Sequence, residues 1–380
     1  MLETVSALSA GISARSAEIE TARRLPADLA KTMAEAGLFR IALPRSLGGL
    51  ELPPAQIVET IEAMAMADAS VGWCLMIGAT TTLTAAYLPH VLAAEIFADP
   101  LVITGGVFAP MGRAVVEGDD YRVSGRWQWA SGSANCDWLL GGAQVFDAGI
   151  LRRLPSGAPD HRMMIFPRAD VELIDTWHAA GLKGTGSGDI AVTDLLVPMA
   201  RSTSLIVDRP VETGTLYVFP VFGLLSLGIA GVASGNARAA LDTAKAMLAG
   251  KKLPGSDRTA ADRQTAQANI ARAEADLRSA RALLFESVNT AWQMAESTGD
   301  MDILTRAHLR LAATHMVRTA ADVTRQAYDL GGGASVFLSN SLQRRFRDAH
   351  SMTQHMMVSP ATYELAGRVF MGLPTDASTL

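Results

Sequence analysis

Cysteine is nearly absent from this chain: Cys74 and Cys136 are the only two, and no CxxC spacing joins them. That excludes a disulfide framework, and the apolar context of each points to a buried free thiol in a reducing compartment. No His/Cys/Asp/Glu cluster has ligand spacing, so no metal is expected. Charge is sparse too, with 19% charged residues and a formal net charge of −5. A mildly acidic chain has no electrostatic footprint for nucleic acid. The longest apolar runs, such as 219–232, are short and glycine-rich for a bilayer span, so no membrane partner is expected. Residues 1–25 lack a basic start followed by an apolar block, so no secretory signal is expected and the location is read as cytoplasmic.

What the chain has in abundance is apolar surface. Hydrophobic residues make up 49% of 380, enough for a large core in two or three packed units. Residues 1–104 are Ala-rich with helical spacing. Helices are expected over 26–36, ending at Gly37, over 55–67, and over the almost wholly apolar 70–88. Pro44, Gly48, Gly49 and Pro53-Pro54 punctuate the loop between the first two. Residues 105–212 read as short strands: 113–116, 121–124, 139–146, 163–166 and 190–197, with turn signals between them, which suggests a barrel or sandwich. Residues 213–380 return to helix over 219–248, 260–298, 302–330 and 341–371, with a break at Gly331-Gly332-Gly333. Four long helices with short connections predict an antiparallel bundle.

Particular motifs narrow this layout. Gly37-Leu38-Phe39-Arg40-Ile41-Ala42-Leu43-Pro44 with Gly48-Gly49-Leu50, then Ala67-Asp68-Ala69-Ser70-Val71-Gly72-Trp73, resemble the N-terminal signatures of the acyl-CoA dehydrogenase superfamily. Gly125-Arg126-Trp127-Gln128-Trp129-Ala130-Ser131-Gly132 resembles that family's strand against the flavin ring. Arg325-Gln326-Ala327-Tyr328-Asp329-Leu330-Gly331-Gly332-Gly333 resembles its Gln-x-x-x-x-Gly-Gly break, and Arg347-Asp348 to His355 its last helix. The resemblance covers the whole chain. It implies an N-terminal helical domain, a middle β domain and a C-terminal four-helix bundle, assembled as a homotetramer.

Where most dehydrogenases of this family carry a catalytic glutamate, this chain has His355-Met356. The alternative carboxylate position on the earlier long helix falls near Lys251-Lys252. The segment Gly106 to Gly112, and Trp177 to Ser187 followed by Asp189, are similar to the two-component flavin monooxygenases of this fold. That branch implies an oxygenase component that takes reduced flavin, FMNH2 or FADH2, from a separate NAD(P)H-flavin reductase. It would use O2 through a C4a-hydroperoxyflavin to hydroxylate an aromatic or indolic small molecule. Three readings stay open beside it: a dehydrogenase with a displaced base, an N- or S-oxidising member, and a non-catalytic flavin-binding subunit.

The resemblance also implies site residues. Ser131 would contact flavin N5, and Trp129 and Gly132 would lie against the ring. Thr185, Gly186 and Ser187 would hold phosphate or ribityl oxygens through hydroxyls and backbone N–H groups. Gln326, Gly331 and Gly332 would approach the dinucleotide, often from a neighbouring subunit. His355 would do acid/base or positioning work, since histidine changes charge near neutral pH. Phe108, Thr80, Thr81 and Phe222 would line the substrate pocket, with Tyr217 to Phe222 bordering it. Many relatives carry a histidine on the third N-terminal helix. Here the region reads Thr80-Thr81-Thr82, with His90 the next candidate. His350 lies about 140° round the helix from His355 at 100° per residue, so it is expected to be structural. Arg347 and Asp348 are expected to form a structural ion pair.

Overall fold

A computed structural model describes residues 1–380. Its N-terminal section holds six helices: α1 (Leu2–Ala14), α2 (Ser16–Ala22), α3 (Ala27–Glu35), α4 (Pro54–Ala67), α5 (Ala69–Thr81) and α6 (His90–Ile96). The first two lie within the stretch of helical spacing over 1–104, ahead of the helices expected from residue 26 onward. Gly37, at φ 72°, closes α3 in the left-handed conformation that glycine adopts without penalty. Helix α5 starts where the Asp68 carboxylate accepts the backbone N–H groups of Ser70 and Val71 at 2.9 and 3.2 Å. It ends earlier than the apolar run suggested, because residues 82–87 tighten into a 3-10 helix.

The middle section is one eight-stranded sheet. Its strands are β1 (Thr104–Glu117), β2 (Asp120–Trp127), β3 (Trp138–Asp147), β4 (Ile150–Leu151), β5 (His161–Pro167), β6 (Glu172–Ile174), β7 (Asp189–Pro198) and β8 (Ser202–Thr203). The order is β6-β7-β2-β1-β3-β5-β8, with β4 paired to β3. β1 and β3 run parallel, and the register shifts between Val107 and Gly112. The segment 106–112 is therefore bulged strand. Trp127 is fully buried and its indole N–H donates to the Gly142 carbonyl at 2.6 Å. A Cβ at Gly112, Gly125 or Gly141 would come within 2.6 Å of that indole ring, so three strands need glycine to close over it.

The C-terminal section carries α7 (Val221–Gly250), α8 (Gln264–Thr298), α9 (Ile303–Gly331), α10 (Ser341–Met352) and α11 (Ala361–Phe370). The expected single helix over 341–371 is two, because the chain leaves helical geometry after Met352 and Pro360 starts α11. Helices α7 to α10 pack around a core continuous with α4, α5 and the sheet. Two segments, 69–87 and 221–250, are long and apolar enough to cross a membrane, but 89% and 83% of an apolar 18-residue stretch within each is buried inside the protein. The second corrects the expectation from 219–232 alone: the helix is longer than that run, and it serves as a core helix.

Candidate functional site

A cavity of about 400 Å³ lies between α5, α7, the sheet and the turn after α10. Helix α5 supplies Trp73, Met76, Ile77, Thr80 and Thr81, with Thr84 just beyond. That is the i, i+3, i+4, i+7, i+8 face of one helix. In α5 every residue but Ile77 and Thr81 is buried, and both of these face the cavity. Helix α7 adds Phe222, Leu225 and Ile229 at the same kind of spacing. Phe108 on β1 stands between Phe222, ring to ring at 4.8 Å, and His161 at 4.4 Å. Burial holds the His161 imidazole below its ordinary pKa, so it packs against Phe108 as a neutral ring.

Beyond Trp127 the flavin-like segment leaves the sheet. Trp129 takes φ 65°, a left-handed conformation rare for a bulky residue, and is 60% exposed at the cavity mouth. The turn that follows buries Ser131, whose Oγ accepts the Trp73 indole N–H at 3.1 Å. Ser131 Oγ lies 2.6 Å from Ser187 Oγ, which lies 2.6 Å from Thr185 Oγ1. Thr185 in turn donates to the Leu182 carbonyl at 2.8 Å. With both ends fixed, the proton order follows. Thr185 gives its proton to Leu182, so it accepts from Ser187, and Ser187 accepts from Ser131. Ser131 is left with one spare lone pair and no free proton. It can accept from a ligand N–H but cannot donate.

His355 sits after α10 rather than on it, at the start of a 3-10 turn. Its Nδ1 accepts the Met357 backbone N–H at 3.2 Å, which places the proton on Nε2. Trp73 packs edge-on against the ring at 5.8 Å. Burial, aided by the Arg310 cation, pushes the imidazole down to about 4. Arg310 lies behind it, donating to the carbonyls of Met357 and Thr379. At neutral pH His355 is therefore an uncharged Nε2–H donor at the cavity wall. It is the only Asp, Glu, Lys, Arg, His, Cys or Tyr among the lining residues.

Of the residues singled out in the sequence, Phe108, Thr80, Thr81, Phe222, Trp129, Ser131, Ser187 and His355 line this one cavity. Thr185, Gly186 and Gly132 stand behind its wall; Gly132 borders a small adjoining space with both cysteines. Both thiols are free and buried, and burial raises both pKa values, that of Cys74 to about 12. Gln326, Gly331 and Gly332 lie outside the cavity, at the far end of α9 beside exposed Val336, Phe337 and Leu338. Tyr217 is buried off the wall, while Val221 and Phe222 reach it. His90 lies in the open near Glu212, at 3.5 Å. His350 packs on Phe346 at 4.5 Å, outside the cavity.

One expectation is corrected. Arg347 and Asp348 do not pair with each other: Arg347 bonds Glu20, Gln343 and the Ala180 carbonyl, and Asp348 accepts the Leu182 backbone N–H at 2.6 Å. Adjacent residues on a helix diverge by about 100°, so they reach different partners. Sequence reasoning missed Trp73 as the Ser131 donor, along with Trp177 and Leu182 as wall residues. The signal for Trp73 was its spacing with Ile77, Thr80 and Thr81.

The Acyl-CoA dehydrogenase, N-terminal domain model matches residues 3–92, and the Acyl-CoA dehydrogenase, C-terminal domain model matches residues 227–360. The indole-3-acetate monooxygenase of Pseudomonas putida is 33% identical over 94% of this chain and 90% of its own length. The flavin-dependent monooxygenase, oxygenase subunit HsaA, of Mycobacterium tuberculosis is 28% identical over 95% of this chain and 92% of its own. A crystal structure of that monooxygenase superposes with a TM-score of 0.92, covering 100% of this chain and 98% of the other at 26% identity. XiaF from Streptomyces, solved in complex with FADH2 and glycerol, superposes at 0.90 with 25% identity over 98% of this chain and 95% of its own.

Proposed function

The chain belongs to the acyl-CoA dehydrogenase family and is a flavin-dependent monooxygenase within it, and on that premise we propose that it hydroxylates an aromatic or indolic small molecule as the oxygenase component of a two-component system. The observation that carries this reading is the cavity wall, which holds no carboxylate. A dehydrogenase of acyl thioesters needs a base to take the α-proton, and a neutral histidine with its proton on the cavity side does not fill that role.

The residues present fit reduced flavin. Ser131 has a lone pair and no free proton, which suits the N5–H of the reduced ring rather than the bare N5 of the oxidised one. Phe108, Phe222, Thr80 and Thr81 would wall the substrate side, and Trp129 would cover the ring. When bound, reduced flavin supplies the two electrons that let one atom of O2 enter a substrate C–H bond while the other leaves as water.

The chain's own contribution is placement and dryness. The mostly apolar wall keeps water from the reacting atoms. The His355 Nε2–H would orient the substrate by a hydrogen bond. We assign Gln326, Gly331 and Gly332 to the far end of the flavin, reached from a second subunit of a homotetramer. The exposed apolar Val336, Phe337 and Leu338 beside them support such a contact. The three units 1–104, 105–212 and 213–380 and a cytoplasmic location belong to the same proposal.

The test couples the protein to an NAD(P)H-flavin reductase with FMN or FAD, offers indoles and phenols, and supplies isotopically heavy dioxygen. Product carrying one heavy oxygen atom is expected. Flavin oxidation that yields only hydrogen peroxide across the whole panel would sink the reading.

A further inference from the structure

We infer that the cavity selects an uncharged aromatic substrate bearing an N–H or O–H and excludes its carboxylated analogues, indole-3-acetate first among them; this rests on the oxygenase reading above. The wall contains no lysine or arginine to pair a carboxylate. Its hydroxyl protons are already committed. Thr80 donates to the Met76 carbonyl at 2.7 Å, Thr81 to Ile77 at 2.6 Å, Thr84 to Thr81 at 2.7 Å and Ser351 to Arg347 at 3.0 Å. The Trp73 and Trp177 indole N–H groups are bonded to Ser131 and to the Leu182 carbonyl. Inside the cavity the donor left over is His355 Nε2–H, a neutral one.

The buried cation nearest this histidine in effect, Arg310, stands behind the wall with its guanidinium on two backbone carbonyls. The rim adds only neutral donors: Met356 is apolar, Trp129 carries an indole N–H, and the Gln354 amide bonds Thr353 at 2.9 Å and keeps one further N–H. A carboxylate placed here would leave most of its lone pairs unsolvated and its charge unpaired, which is the costliest kind of polar burial.

The same groups suit a neutral ring. The threonine oxygens of α5 send their protons back along the helix and keep lone pairs for a ligand. A substrate N–H or O–H meets these acceptors, and its π face meets Phe108 and Phe222. An indole or a phenol fits this pattern.

The test uses three matched compounds: 3-methylindole, indole-3-acetamide and indole-3-acetate. The amide has the size of the acid without its charge. Binding to the full-length protein with reduced FMN is measured by anaerobic calorimetry, and oxygenation in the reductase-coupled assay. The first two compounds are expected to bind within about tenfold of each other, and indole-3-acetate at least about a hundredfold more weakly. In Gln354→Lys, an exposed rim substitution, indole-3-acetate should gain about tenfold over the amide.

Equal binding of acid and amide would overturn the inference. So would loss of the amide together with the acid, which makes size the filter, or failure of all three to bind. Charge selection without heavy oxygen in any product would leave the inference standing and remove the oxygenase reading. Oxygenation of the acid as fast as the amide would do the reverse.

Discussion

His355 changes meaning once its hydrogen bonds are known. As a bare sequence position it reads as a group that titrates near neutrality. In the fold its Nδ1 is tied to Met357 and its pKa is pushed down to about 4. Activity should therefore show no acidic limb near pH 6.5 arising from this ring. Its removal in His355→Ala should lower kcat by about ten- to a hundredfold through lost positioning while reduced-flavin affinity stays within about threefold.

Stability carries the same signature. The unfolded ring takes up a proton below its ordinary value of 6.5 and the folded ring does not until about 4, so the His355 contribution is complete above 6.5 and is lost as pH falls toward 4. Between pH 7 and 5, urea unfolding of the wild type should lose on the order of 2 kcal/mol relative to His355→Gln. Ser187→Ala tests the hydroxyl relay. With its partner gone, Ser131 regains a proton to donate, and oxidised FMN should bind about fivefold more tightly relative to reduced FMN.

At the scale of elements, the segment 176–188 is a loop held by a helix. Leu182 takes a left-handed φ of 51° with its N–H on the Asp348 carboxylate, and Arg347 holds the Ala180 carbonyl. A Cβ at Gly181 would lie 2.2 Å from the Arg347 carbonyl oxygen, so the loop backbone seats directly on α10. Because Trp177, Leu182 and Ser187 line the cavity, α10 shapes the site through this loop as well as through its own Ser351. Gly181→Ala should destabilise by about 1–3 kcal/mol and raise KM for substrate more than it lowers kcat.

Asp348 has a pH dependence of opposite sign to His355. Burial raises its carboxyl to about 7, so its contribution is complete below 3.8 and is lost as pH rises toward 7. Asp348→Asn should flatten that loss in unfolding measured from pH 4 to 8.

For the whole molecule, the core is continuous across helices and sheet, but the apolar surface is not fully covered. Val336, Phe337 and Leu338 are 60%, 64% and 82% exposed at the bundle end that carries the Gly331-Gly332-Gly333 break. If this end meets a second subunit, Phe337→Glu should shift sedimentation toward a smaller species. It should also weaken FAD binding by about tenfold or more, because Gln326 and the glycines would lose their neighbour. A monomeric wild type would remove both the tetramer and the shared flavin site.

Legibility from sequence follows the range of the interaction. Helical and strand periodicity, Gly37 as a terminator and the absence of a carboxylate at His355-Met356 are local facts that one pass along the chain reads. So is the grouping of Thr80 and Thr81 with Phe222 and His355, through resemblance. The proton order from Trp73 through Ser131, Ser187 and Thr185 to Leu182 is not local, since its links join residues as far as 58 positions apart. The same holds for Arg347 choosing Glu20 over its neighbour Asp348. Sequence by itself determined most of the helices and strands and which chemistry the cavity lacks, because both follow from residue type and spacing. Only the tertiary structure decided which way each proton points and which charge stays outside the wall, because those depend on partners that only folding brings within hydrogen-bonding distance.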